Sequence, residues 1–213
     1  MYKRVWKRLF DILFTILALC FFWPLLGLIA FLVCVTLGRP ILFRQKRPGL
    51  NGKLFTLFKF RTMTDAYDAE GNFLSDSERL TSFGRFLRAA SFDELPELFN
   101  ILHGEMSLVG PRPLLTRYTP FFLPEERLRF LVRPGLTGLS QVKGRNDLSW
   151  DMRIAGDVDY VRRCSLSLDI QIICITFWRV ILRRDLRVNP GASMLDFDEE
   201  RRIRPRFSKE DGP

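Results

Sequence analysis

Asp93 and Glu94 stand side by side in SFDELPELFN, residues 91–100. An ionised aspartate can attack phosphorus or hold a metal ion, with the neighbouring glutamate as its partner. Arginines gather around the pair in sequence: Arg79, Arg85 and Arg88 before it, Arg112 in GPRP and Arg145 in KGRN after it. Guanidinium groups suit phosphate oxygens, which they grip through two parallel hydrogen bonds. A carboxylate among them would bind a divalent cation that bridges to phosphate, usually magnesium. Each feature also has a plainer reading. Ser91 followed three residues later by Glu94 matches a helix capping box, and any one arginine can pair with an acid such as Glu78 or Glu97. Pro96, tolerated in a first helical turn, places Asp93 at or near the cap, where the helix dipole and free N–H groups keep a carboxylate ionised.

The elements that must position these groups follow from periodicity. ILFRQKRPGLNGKLFTLFKFRTM has two β-prone runs around a turn-rich centre and predicts a hairpin over residues 41–62. Residues 65–78 are polar and acidic and predict a loop. Helical spacing resumes over Thr81 to Arg88 and Leu95 to Leu102, while the prolines of GPRP (110–113) demand an extended or turn conformation. In LDIQIICITFWRVILRR (168–184), Asp169, Thr176, Arg179 and Arg183 form a polar stripe on an apolar helix, which predicts a helix lying in a membrane interface or, alternatively, a core helix under a polar surface. Phe121, Phe122 and Leu123, set between prolines, also suit the interface. The segment after Asp185 is mostly charged and predicts a poorly ordered tail.

Charge is unevenly spread over the 213 residues: positions 1–64 hold eleven Lys/Arg and one acid, Asp11, whereas positions 65–213 hold 22 basic and 23 acidic residues. A nearly neutral folded part argues against nucleic-acid binding. Cys20, Cys34, Cys164 and Cys174 lack C-x-x-C spacing and read as reduced thiols; the single histidine, His103, excludes a His-rich zinc site. From Ile12 to Leu37 run 26 uncharged residues, more than the roughly 20 that cross a bilayer. Lys3, Arg4, Lys7 and Arg8 precede this run and Arg39, Arg44, Lys46 and Arg47 follow it, so the positive-inside rule asks for both flanks in the cytoplasm. Pro24 divides the run near its middle and would kink it. The segment is compatible with a straight span and with a re-entrant hairpin.

FKFRTM (58–63), LRAASFDELPELFNILHGEMSLVGPRP (87–113) and RPGLTGLSQVKGRN (133–146), after an N-terminal apolar segment, resemble the monotopic phosphoglycosyl transferases, the bacterial sugar transferase family, over residues 1 to about 185. The resemblance implies transfer of a sugar 1-phosphate from a UDP-sugar to polyprenyl (undecaprenyl) phosphate with release of UMP, opening membrane-linked glycan assembly. It implies Asp93 as nucleophile and Mg2+ ligand, Glu94 as its partner in the second step, and Lys59, Arg61, Arg88, Arg112 and Arg145 around the phosphates. The alternatives are transfer in one ternary complex and a non-enzymatic membrane scaffold. The implied fold is α+β, mostly helical with a small β-hairpin, in three parts: a re-entrant membrane helix (1–38), a catalytic domain with interfacial amphipathic helices (39–185) and a polar tail (186–213). The implied location is the bacterial cytoplasmic membrane, with phospholipid as a partner and both termini in the cytoplasm. The family usually has Ser-Pro at the helix break; here Trp23-Pro24 stands there, without the serine hydroxyl. Neither the transferred sugar nor a homodimer can be read from these residues.

Overall fold

A computed structural model describes residues 2–144, 148–182 and 195–203, so Arg145 and Arg183 lie outside the described residues. The fold is α+β and mostly helical, with two small two-stranded sheets among the described residues. Helix α1 (Lys7–Leu37) continues through Pro24 without an interposed turn and ends at Gly38, whose left-handed φ of 73° suits a residue lacking Cβ. Its 31 residues span about 46 Å at 1.5 Å each. Only a narrow stripe of α1 is buried, comprising Lys7, Asp11, Thr15, Ile29 and Val33. Ala18, Leu19, Leu25, Leu26 and Ala30 are partly covered by the body, and the opposite side is uncovered apolar surface, with Phe21 76% and Trp23 68% exposed.

The predicted hairpin forms. Strands β1 (Leu42–Pro48) and β2 (Leu54–Phe60) pair antiparallel with Leu42 opposite Phe60 and Pro48 opposite Leu54. Alternation along β2 turns Phe55 and Leu57 inward, where they pack with Leu98, Ile101 and Met106. Residues 65–75 form a loop before the short helix α2 (Asp76–Arg79). Helices α3 (Ser82–Ala89) and α4 (Glu97–His103) follow the predicted periodicity. Thr81 caps α3, its hydroxyl accepting from the Gly84 N–H at 2.9 Å.

Strands β3 (Ser107–Val109) and β4 (Gly135–Thr137) pair in parallel and bring GPRP against the glycines of RPGLTG. A Cβ on Gly138 would stand 2.2 Å from the Gly110 carbonyl oxygen, so this approach requires glycine. Helices α5 (Leu139–Gly144), α6 (Trp150–Arg163) and α7 (Leu166–Ile181) complete the main body. Their core gathers Val109, Leu139, Tyr160, Leu168 and Ile172.

The polar stripe expected on α7 faces the opposite way. Asp169 is fully buried, accepting from the Tyr2 hydroxyl (2.5 Å), Lys7 Nζ (2.7 Å) and the Tyr160 hydroxyl (2.7 Å). The Thr176 and Thr137 hydroxyls are hydrogen-bonded at 2.7 Å. The exposed surface of α7 is instead apolar, with Ile170, Ile175, Phe177, Trp178 and Val180. Phe122, expected at the interface, belongs to the core, because its ring stacks on Phe197 at 5.0 Å. Phe197 opens helix α8 (Phe197–Ile203), so part of the segment expected to be unordered is folded. It is held by packing on Tyr118 and Trp150 and by Arg201, which pairs with Glu126 at 2.5 Å and Asp151 at 3.1 Å.

Candidate active site

The carboxylate pair lies in a 3₁₀ turn (Phe92–Glu94) that leads into α4. Ser91 does not cap it. Its backbone is left-handed, with φ 56°, and its side chain makes no capping bond. Among the described residues a capping box forms instead at Ser75 and Glu78, at the start of α2. Asn100 holds α4 to the hairpin: its Oδ1 accepts from the Phe58 N–H at 3.1 Å and its Nδ2 donates to the Thr56 carbonyl at 2.7 Å. At the far end of α4, Arg8 donates to the Ile101 and Leu102 carbonyls at 2.6 and 2.9 Å, and Arg133 to the Gly104 carbonyl at 2.7 Å. Cations there complement the negative end of the helix dipole. The helix that follows the pair is thus fixed at its middle by the hairpin and at its C-terminal end by Arg8 and Arg133.

Clamping α4 to β2 brings Lys59 to the carboxylates. Lys59 Nζ lies 2.6 Å from Glu94 Oε1 and 3.2 Å from Glu97 Oε1, and Arg112 Nη2 lies 2.8 Å from the same Glu94 oxygen. Burial alone would raise the Glu94 carboxyl, but Arg112 and Lys59 outweigh it and hold its pKa at about 2. Asp93 behaves differently. Among the described residues none hydrogen-bonds its carboxylate, and burial together with the Glu94 charge pushes its pKa up to about 6 despite Lys59, Arg88 and Arg112. The expected lowering by the helix dipole does not prevail, because desolvation is the larger effect. Glu97 is pushed up to about 8 by burial and by Glu94.

Lys59, Asp93, Glu94 and Arg112 open onto one cleft of about 1960 Å3, with Glu97 behind Lys59. At one side it meets α1 at Leu26, Gly27 and Ala30; at the other it reaches Trp150 and Arg153. Lys59, Arg61, Arg88, Asp93, Glu94 and Arg112 all line it. Arg61 is already committed to structure: Nε donates to the Met63 carbonyl at 3.0 Å, Nη1 reaches the Leu37 and Arg39 carbonyls, and Nη2 pairs with Asp65 at 2.5 Å. It ties the end of α1 to the hairpin. Arg88 donates to Thr62 Oγ1 at 3.0 Å. Arg79 also lines the cleft, over the Phe73 ring at 4.3 Å, whereas Arg85, which bonds Ser82 and the Leu80 carbonyl, does not line it. Arg145 lies outside the described residues. Glu97 and Arg47, which sequence reasoning left unassigned, join the site; the local signal was a charged residue on the buried face of an element.

No group of three His, Cys, Asp or Glu among the described residues could hold a metal by itself. Asp93 by itself would offer a magnesium ion one carboxylate, and that ion is usually bound by one or two carboxylates with its remaining positions left to water or phosphate.

The family described as Bacterial sugar transferase matches residues 2–183. The chain belongs to that family. It is 46% identical over 181 residues to the uncharacterized sugar transferase EpsL of Bacillus subtilis (strain 168), covering 85% of this chain and 90% of that protein. It is 41% identical over 192 residues to a Xanthomonas campestris pv. campestris protein named UDP-glucose:undecaprenyl-phosphate glucose-1-phosphate transferase, covering 84% of this chain and 40% of the other. It is 38% identical over 200 residues to the undecaprenyl-phosphate galactose phosphotransferase of Salmonella typhimurium, covering 86% of this chain and 42% of the other. The resemblance carried by FKFRTM, DELP and GPRP is therefore borne out. Helix α8 lies beyond the span that the family matches.

Proposed function

We propose that this phosphoglycosyl transferase moves a sugar 1-phosphate from a UDP-sugar to undecaprenyl phosphate at the cytoplasmic membrane, in two steps through Asp93. The observation that carries this reading is the contrast within the pair. Glu94 is tied down by two cations, whereas Asp93 faces the cleft with a carboxylate that no described residue hydrogen-bonds.

In the first step an Asp93 oxygen attacks the sugar-bearing phosphorus, the bridging P–O bond breaks, and UMP leaves with the electron pair. In the second a lipid phosphate oxygen attacks the same phosphorus, breaking the bond to Asp93 and regenerating the carboxylate. Glu94 holds Lys59 and Arg112 beside the reacting phosphates. Bound Mg2+, held by Asp93 and the diphosphate, would neutralise charge on the leaving nucleotide. Dividing the transfer spares the site from holding two mutually repelling anions at once.

The membrane side of the proposal rests on α1. One end is tied to the catalytic body through Lys7 and Arg8, and the other through Arg61. Ends tied to one body suit a segment that keeps both flanks on one side of the membrane, a path that would require α1 to bend at Pro24. Its uncovered apolar side and that of α7 would face lipid. Single cysteines near residues 2 and 40, in a background without the four native ones, should label only from the cytoplasmic side. Periplasmic labelling at either position would refute this topology.

The two-step scheme is tested by mass spectrometry. Given UDP-sugar and Mg2+ without lipid, the wild-type protein should gain one phosphosugar and release a burst of UMP. Asp93→Asn should abolish the adduct and lower turnover at least about a thousandfold, as loss of a nucleophile does. Turnover with lipid but no adduct or burst without it would favour a ternary-complex mechanism.

A further inference from the structure

Strand β1 carries a charge where its pairing calls for a core residue. Gln45 lies opposite Leu57 and Arg47 opposite Phe55, and Leu57 and Phe55 are both buried. Cross-strand partners share a face, so Arg47 is on the inward side of the hairpin, where it lines the cleft with Arg112. Its partners are few. Nη2 donates to Gln45 Oε1 at 2.7 Å, while Nε is buried without any hydrogen-bond partner. Among the described residues no carboxylate pairs with it. Lys59 and Arg112 already engage Glu94, and Lys59 also engages Glu97. Burial and the adjacent Arg112 charge pull the Arg47 guanidinium down to about 10.

A partly buried arginine beside a second arginine, with an unused donor and no directly paired acid, only the charge of Glu97 acting on it from farther off, is destabilising unless an anion completes it. The cost is understandable if the anion is a substrate. We propose that Arg47 is a phosphate-binding residue, gripping a substrate phosphate oxygen together with Arg112. The ligand chemistry is a phosphate dianion or diphosphate, supplied either by the nucleotide sugar or by the lipid. Naming these substrates rests on the reading above; the anion site itself does not.

The experiment uses full-length protein in nanodiscs and thermal unfolding with and without UDP, inorganic pyrophosphate or inorganic phosphate. Arg47→Gln removes the charge; Arg47→Lys keeps it without the fork and serves if the first variant does not fold. Arg47→Lys is read by its anion response alone, whereas folded Arg47→Gln should also unfold at or above the wild-type temperature in the absence of anions, because an uncompensated charge has gone. The anion-induced stabilisation of either variant should be lost or sharply reduced. Affinity for whichever anion stabilises the wild-type protein should fall at least roughly tenfold, the scale of a charged hydrogen bond. An undiminished anion shift in a folded variant would overturn the proposal. Two kinetic arms separate the sources: slowed adduct formation from UDP-sugar assigns the nucleotide diphosphate, and normal adduct formation with slowed discharge by lipid assigns the lipid phosphate. Should wild type form no adduct, the anion shift still decides the role of Arg47, so the two readings fail separately.

Discussion

The buried junction of α1 with α7 and the cleft around Asp93 both gather charges, but they treat them in opposite ways. At the junction Asp169 is fully buried and accepts from Lys7, Tyr2 and Tyr160, so a single carboxylate is saturated by three donors. At the cleft Asp93 has no hydrogen-bond partner among the described residues, Arg47 has an idle donor, and Glu94 and Glu97 share one lysine. Saturation makes a joint; incomplete pairing leaves groups that a ligand can complete. The same comparison explains why two outwardly similar apolar helices hold their polar residues inside. With their exposed faces committed to apolar surface, their charges are satisfied by each other and by the body beneath them.

The sharpest way to break this contrast is at the joint. Asp169→Ala would leave Lys7 buried without its closest anion, and should lower stability by about 3–5 kcal/mol in denaturant unfolding. A variant within about 1 kcal/mol of wild type would mean that the network is not what holds α1 to the body. At the cleft the expected effects are catalytic instead. Asp93 must be ionised to attack, and its pKa is raised to about 6, so the acid limb of the kcat/KM profile for adduct formation should lie near that pH. Rates should fall about tenfold for each pH unit below it. A limb near the ordinary aspartate value would show that the cations around Asp93, bound Mg2+ included, outweigh its burial. The smallest effect is predicted for Glu97→Gln. With its pKa at about 8, Glu97 is mostly protonated at pH 7, and glutamine copies the neutral form. Turnover at pH 7 should stay within about threefold of wild type. Any change that sets in as wild-type Glu97 ionises above pH 8 should vanish in the variant. A large loss at pH 7 would mean that the charged form is the working one.

Several features were legible along the chain because they are local. The hairpin follows from two β-prone runs and a turn, α3 and α4 from apolar spacing, and the apolar length of α1 from residues 12–37. DELP and GPRP carried the family because their residue types are contiguous. Periodicity says which residues share a face but not which way that face turns. Asp169 and Thr176 share a stripe on α7, yet only Lys7 and Tyr2, more than 160 positions away, make it the inner one. Ser91 and Glu94 have capping-box spacing, but Lys59 and Arg112 claim the glutamate, and a contact between charges outcompetes a cap. Phe122 reads as interfacial until Phe197 stacks on it from the other end of the chain. The idle donor of Arg47 is equally invisible in sequence, because the absence of a partner is a property of everything packed around a residue. Local order was written in adjacent residues; pairing, burial and the resulting charge states were decided by contacts whose partners lie far apart in the chain.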